Sequence, residues 1–112
     1  MNLINFKELE NLYQGNTDFQ QEIVANFVQR MPIYFDCLRD SLVQKNSEEL
    51  QNYSCQLRAV SQRCCVQEVH HLCVLLEEQA KTKEFALATR TLLKIQDIFH
   101  HIQDEYPLTM LY

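Results

Sequence analysis

One cysteine stands among polar residues on a strongly helical segment, where its thiol would face solvent beside a cation. Cys55 precedes Arg58 by three residues, which is close to one helical turn, so their side chains share a face. A thiolate is a nucleophile, and a neighbouring positive charge favours it over the neutral thiol. A redox-sensing cysteine is therefore one hypothesis. We favour a cysteine without chemistry, because the sequence places no general base beside it.

Histidines offer a second type of nucleophile. His70 and His71 are adjacent, so on a helix they point about 100° apart and at least one lies near the surface. An exposed neutral imidazole can attack an electrophile. We favour two ordinary surface histidines here, and the same interpretation for His100 and His101, because apolar neighbours take the inward positions.

Sulfur and imidazole side chains also cluster within residues 64–73, and both are ligand types of zinc. The candidate ligands are Cys64, Cys65, His70, His71 and Cys73. Zinc binds such groups, but these spacings are not one of its usual paired patterns. We therefore expect neither a metal site nor another cofactor. The odd total of five cysteines, with irregular spacing, is typical of reduced thiols.

The composition favours one helical domain over residues 1–112. Hydrophobic residues make up 46% of the chain and charged residues 22%, which is enough for a core. Only one glycine and two prolines are present, and a β-sheet protein would need more of them for its tight turns. The fold class that we predict is therefore all-α.

Net charge and hydropathy limit the kinds of partner that we expect for the chain. The formal net charge is −5, and lysines and arginines are scattered singly, so no stripe is available for a phosphate backbone and we expect no nucleic-acid partner. The first residues lack the basic and apolar regions of a signal peptide. No apolar run approaches the roughly 18 residues of a membrane span. These features predict a cytoplasmic protein that does not enter a membrane.

Capping residues and chain breakers predict five helices. The first begins at Asn5 and runs to about Gln14, before Gly15. The second begins at Thr17, with Gln20 as its capping-box partner, and Pro32 predicts a kink or short break near residues 29–31. The third begins at the cap Asn46. A change of direction near residues 64–65 starts the fourth, which ends in the polar stretch 77–83, and Pro107 ends the fifth.

Apolar residues recur at helical spacing in each of the four longer segments, which predicts one buried stripe per helix. An antiparallel up-down four-helix bundle with a short N-terminal capping helix follows. We expect a monomer, and the heptad spacing in the last helix leaves a dimer as the alternative. The predicted stripes are Phe19, Ile23, Phe27, Met31, Tyr34, Leu38 and Leu42; Leu50, Ser54, Leu57, Ser61 and Cys64; Val66, Val69, Leu72, Cys73 and Leu76; and Phe85, Ala88, Leu92, Ile95, Phe99, Ile102 and Tyr106.

A family resemblance enters at residues 53–59, which read Tyr-Ser-Cys-Gln-Leu-Arg-Ala. This segment resembles the phosphoacceptor motif of histidine phosphotransfer domains, which reads roughly "small, His, x, Leu, Lys, Gly". Leu57 matches the core position, Arg58 the positive charge and Ala59 the small residue. Cys55 stands where the family has its histidine.

Other segments are similar to the same family, in order, over roughly residues 4–104. Residues 15–19 resemble its "Gly-Asp-x-x-Phe" opening, and Phe27, Pro32 and Leu38 match "Phe-x(4)-Pro-x(5)-Leu". Residues 72–77 resemble "Leu-Cys-x-x-Leu-Glu". One departure is Cys65, where the family has a glycine at the turn into the fourth helix.

The resemblance implies a pseudo-phosphotransfer protein that is not an enzyme. Such a protein would dock a response-regulator receiver domain or a hybrid sensor kinase without carrying phosphate, as an adaptor or competitor. A relay through a surrogate histidine, His70 or His71, is the alternative within the family. The docking face would lie about 100° around the third helix from its buried stripe. It comprises Gln51, Cys55, Arg58, Ala59 and Gln62.

Overall fold

The computed structural model describes residues 3–105, and within that range the chain forms five α-helices and no β-strand. The all-α prediction is therefore confirmed. The predicted inward position of Tyr106 and the helix end at Pro107 lie outside the described residues. The helices are α1 (Phe6–Leu12), α2 (Thr17–Val43), α3 (Ser47–Arg63), α4 (Gln67–Lys81) and α5 (Phe85–Glu105).

Asparagine side chains begin the first three helices. Asn5 and Asn46 accept hydrogen bonds from the backbone N–H groups three residues on, as predicted. The predicted cap of α2 was wrong: Asn16, not Thr17, accepts from the N–H of Phe19 at 3.1 Å. Because the cap is Asn16, the capping-box position three residues later is held by Phe19 and not by the predicted partner Gln20. The side chain of Gln20 instead donates to the carbonyl of Tyr13.

The three later links between helices share one geometry. Lys45, Cys65 and Lys83 have φ values of 53°, 59° and 58°, in the left-handed region that glycine adopts most easily. In each link the N–H of the following residue bonds back to a carbonyl five residues before it: Asn46 to Ser41, Val66 to Ser61 and Glu84 to Gln79. This is a Schellman motif. Each link therefore ends one helix and starts the next within three residues, 44–46, 64–66 and 82–84.

The predicted stripes form most of the core. All five predicted residues of α3 are buried, from Leu50 to Cys64, and Ala88 through Ile102 of the predicted α5 series are buried as well. The hydroxyls of Ser54 and Ser61 donate to the carbonyls of Leu50 and Leu57, so these buried polar groups keep partners. The periodic pattern thus correctly predicted which side of α3 faces inward.

Pro32 does not interrupt α2. Of the kink or short break predicted near residues 29–31, the break is absent, since the helix is continuous from Thr17 to Val43, with Met31 and Leu38 buried on either side of the proline. Phe19 was assigned to the buried stripe but is 40% exposed. It lies in the first turn of α2, beyond the core, where its ring meets the Tyr13 ring edge-on at 5.2 Å.

The helix α3, which carries the motif residues, packs between two neighbouring helices. The helix packs against α2 and α4, and α5 packs against the same two helices. The short α1 lies near the α3–α4 link, since the N–H of Asn5 donates to the carbonyl of Cys65 and the Tyr13 hydroxyl donates to that of Arg63. Within residues 3–105 no helix is long and apolar enough to span a bilayer.

Candidate docking face around Cys55

The five predicted face residues lie together on the outer side of α3. Cys55, Ala59 and Gln62 are exposed, whereas Gln51 and Arg58 are half-buried. The residues that precede four of them point inward, because a helix turns by about 100° per residue: Leu50, Ser54, Leu57 and Ser61 are buried. The exposed thiol therefore sits in the middle of a surface of small and polar side chains.

Arg58 is not a free cation. Its Nε lies 2.6 Å from Oε2 of Glu77 on α4, and its Nη2 lies 3.5 Å from Oε1 of the same carboxylate. The side chains of Arg58 and Glu77 are 32% and 20% exposed. The hydrogen bond to Glu77 raises the pKa of Arg58 above its ordinary value, so the guanidinium stays charged while its charge is largely compensated.

The thiol of Cys55 contacts the same guanidinium. Nη2 of Arg58 lies 3.4 Å from Sγ of Cys55. This contact is the geometry that the one-turn spacing predicted. However, a guanidinium that already bonds a carboxylate offers less field to a thiolate than a free one would, because the opposite charges partly cancel.

Sequence reasoning missed the part of this surface that α4 supplies. His70, Val74 and Glu77 recur at spacings of four and three, so they share one side of α4. Two of them touch α3 at the same arginine: Glu77 through its carboxylate, and His70 through Nδ1, 3.4 Å from the Arg58 carbonyl oxygen. Val74 is 48% exposed and lies between them on that side. We call these three residues with the five of α3 the Cys55 face.

A signal for this α4 contribution was present in the sequence. Residues 70, 74 and 77 are offset from the buried positions Val69, Cys73 and Leu76 by one residue each. They must therefore flank the buried stripe and lie at the border with a neighbouring helix. The pattern does not say which neighbour, and that choice depends on how α3 and α4 pack.

The two candidate histidines lie on different surfaces. His70 is half-buried against α3, whereas His71 is exposed and lines a cleft of about 440 Å³ between α4 and α5, with Lys94 and Asp97. Their rings are 5.5 Å apart. Of the two, only His70 belongs to the Cys55 face, so it is the better placed for the surrogate role.

All three cysteines of the zinc hypothesis, Cys64, Cys65 and Cys73, are buried. Burial raises the pKa of Cys64 to about 11 and that of Cys73 to about 12, and it also raises the pKa of Cys65. Among residues 3–105 no group of three or more histidine, cysteine or acidic side chains is arranged to hold a metal ion.

Comparisons of the chain with protein-family models, with curated proteins and with solved structures find no match in any of the three. The features of the chain that bear on its function are therefore the motif residues and the geometry of the Cys55 face.

Proposed function

We propose that the chain is a histidine phosphotransfer-like domain that docks receiver domains without carrying phosphate. The observation that carries the proposal is the exposed Cys55, in the motif position of the phosphoacceptor, with Arg58 one turn away on the same face. In this proposal the chain is a cytoplasmic, monomeric, non-enzymatic adaptor or competitor. Its long helices form an antiparallel up-down bundle that α1 caps.

The proposed loss of relay chemistry has a direct physical reason. A relay needs a neutral imidazole at the centre of the face to attack the phosphoryl group, and a cation beside it to offset the incoming charge. The central side chain here is a thiol, and the Arg58 charge is engaged by Glu77. Both parts of the phosphoacceptor arrangement are therefore altered, while the surface around them remains open.

The same ion pair gives docking a testable electrostatic character. The phosphorylated aspartate that makes a receiver domain a relay partner is an acidic group, and it would compete with Glu77 for the Arg58 guanidinium. Binding would then be weak and dependent on salt, because partly exposed charges are screened within about 10 Å at 0.1 M ionic strength. Val74 would supply apolar contact beside the charged pair.

The test is binding of the purified chain to a panel of receiver domains, with and without receiver phosphorylation. Arg58→Glu is the test variant, and Arg39→Glu is the matched control, because Arg39 on α2 also pairs with carboxylates but lies off the Cys55 face. We expect binding that Arg58→Glu weakens by about tenfold or more and Arg39→Glu leaves unchanged. Absence of binding to every receiver at about 100 µM, or equal losses in both variants, would refute the proposal.

A redox role for Cys55 is the second candidate, and the 3.4 Å contact with Arg58 is the observation that favours it. The candidate requires that the arginine accelerates thiol chemistry. Alkylation of the folded chain by iodoacetamide, compared with that of Arg58→Gln, tests it. A rate that falls severalfold in the variant would support the redox role. An unchanged rate would leave the docking function as the better account.

A further inference from the structure

A cleft borders a second side of α3, separate from the Cys55 face. It has a volume of about 260 Å³ and is bounded by the end of α1, the first half of α2 and the last turn of α3. Val60 and Arg63 line it, and each follows a residue of the Cys55 face by one position, so the two surfaces are about 100° apart around the helix. The cleft therefore belongs to no site described above.

Hydrogen bonds and ring contacts hold the walls of the cleft in place. The Tyr13 hydroxyl donates to the Arg63 carbonyl at 3.1 Å, which ties the end of α1 to the end of α3. The Tyr13 ring packs edge-on against Phe19, and Nε2 of Gln20 donates to the Tyr13 carbonyl at 3.0 Å. A cleft that is already formed costs little ordering free energy when a ligand enters.

The lining combines positive charge with apolar surface. Arg30 and Arg63 are both exposed, and within residues 3–105 neither guanidinium forms an ion pair, although the whole chain has a net charge of −5. No acidic residue is among those that line the cleft. Phe19 is 40% exposed there, and Phe27 is buried at the base. An exposed aromatic ring beside two unpaired arginines is a chemically specific surface.

We propose that this cleft binds a small organic anion with an aromatic or apolar body. Guanidinium groups hold carboxylate, phosphate or sulfonate oxygens through paired, charge-assisted hydrogen bonds. The body of the ligand packs against Phe19 and its apolar neighbours. The cleft lies just below the range of about 300–1,000 Å³ that is usual for drug-sized ligands, so the occupant is a smaller molecule.

The test is a titration of the ¹⁵N-labelled full chain, followed by NMR, with three probes that separate charge from body. They are 1-naphthoate, its neutral counterpart 1-naphthalenemethanol, and inorganic phosphate. We expect saturable shifts at the backbone amides of the cleft, with naphthoate bound about tenfold more tightly than either other probe. Equal affinity of naphthoate and the neutral alcohol, or shifts confined to other regions, would overturn the proposal.

Variants assign the charge contribution. Arg30→Gln and Arg63→Gln should each weaken naphthoate binding by about fivefold or more, because each removes one charged contact. Arg90→Gln is the matched control, since Arg90 is an exposed arginine of α5 outside the cleft, and it should bind naphthoate as the parent chain does. Unchanged binding in both cleft variants would overturn the proposal. A hexapeptide with carboxylates flanking phenylalanine that binds tenfold better than naphthoate would overturn the assignment to a small ligand.

Discussion

Replacing Lys83 with glycine should stabilise the protein, because the residue occupies a backbone conformation that suits glycine. Its φ is 58°, and among residues 3–105 its side chain forms no ion pair that the substitution would remove. A non-glycine residue in the left-handed region costs roughly 1–2 kcal/mol. Glycine returns roughly 0.5–1 kcal/mol of this through the greater freedom of the unfolded chain. The expected net gain is about 0.5–1 kcal/mol.

That gain is large enough to measure. Unfolding entropy of about 2.1 cal/mol/K per residue, over 112 residues, amounts to about 0.24 kcal/mol/K. The melting temperature should therefore rise by about 2–4 °C. Urea unfolding followed by circular dichroism gives the same free energy independently.

Two control variants separate the backbone effect from loss of the lysine side chain. Lys83→Ala removes the same side chain but keeps the Cβ atom, so it should show no gain. Lys94→Gly lies inside α5, where φ is helical, and should lower stability by about 1 kcal/mol. If Lys83→Gly is no more stable than Lys83→Ala, the reasoning about the left-handed link is wrong.

Three further predictions concern charge and thiols. Glu77→Gln should lower stability by about 0.5–1.5 kcal/mol, because it removes the ion pair with Arg58, and it should strengthen receiver binding, because it removes the internal competitor for that arginine. A urea titration checks the stability and a binding titration checks the affinity. Weaker receiver binding would contradict the competition. Above pH 9 the unfolded chain loses thiol protons that Cys64 and Cys73 keep in the folded chain, because burial raises the pKa of both thiols. Stability that is present below that pH should therefore fall as the pH rises, by up to about 1.4 kcal/mol per pH unit for each thiol. Urea unfolding between pH 8 and 11 should show a free energy of unfolding that falls less steeply with pH in Cys73→Ala than in the parent chain, and an equal pH dependence would contradict the assignment. In the folded chain a thiol reagent should label Cys55 before Cys64 and Cys73, which mass spectrometry of peptides can verify, whereas prior labelling of the buried thiols would contradict their burial.

The helices and the exposed side of α3 could be predicted from the sequence because both depend on local spacing. Asn5 and Asn46 cap helices through backbone groups three residues away. The spacing of four and three between Leu50, Ser54 and Leu57 places their side chains on one side of the helix. These interactions lie within one or two turns. The exposure of Cys55 and its contact with Arg58 follow from the same geometry.

Local competition explains the smaller errors. Asn16 and Thr17 are both suitable caps, and the difference between them depends on which oxygen reaches the N–H of Phe19. Phe19 has the right spacing for the buried stripe of α2, but spacing cannot show that the core ends before the first turn of a helix. Only the packing of neighbouring helices sets that limit.

What the sequence determined by itself is therefore local: five helical segments, their inward sides, and a face that holds Cys55 and Arg58. The tertiary structure decided what lies against that face and beside it. It paired Arg58 with Glu77, nineteen positions along the chain. Within residues 3–105 it also left Arg30 and Arg63 without an ion pair around a cleft between α2 and α3. Such contacts join residues that are distant in sequence, so the way that whole helices pack selects them, and helical periodicity carries no information about that choice.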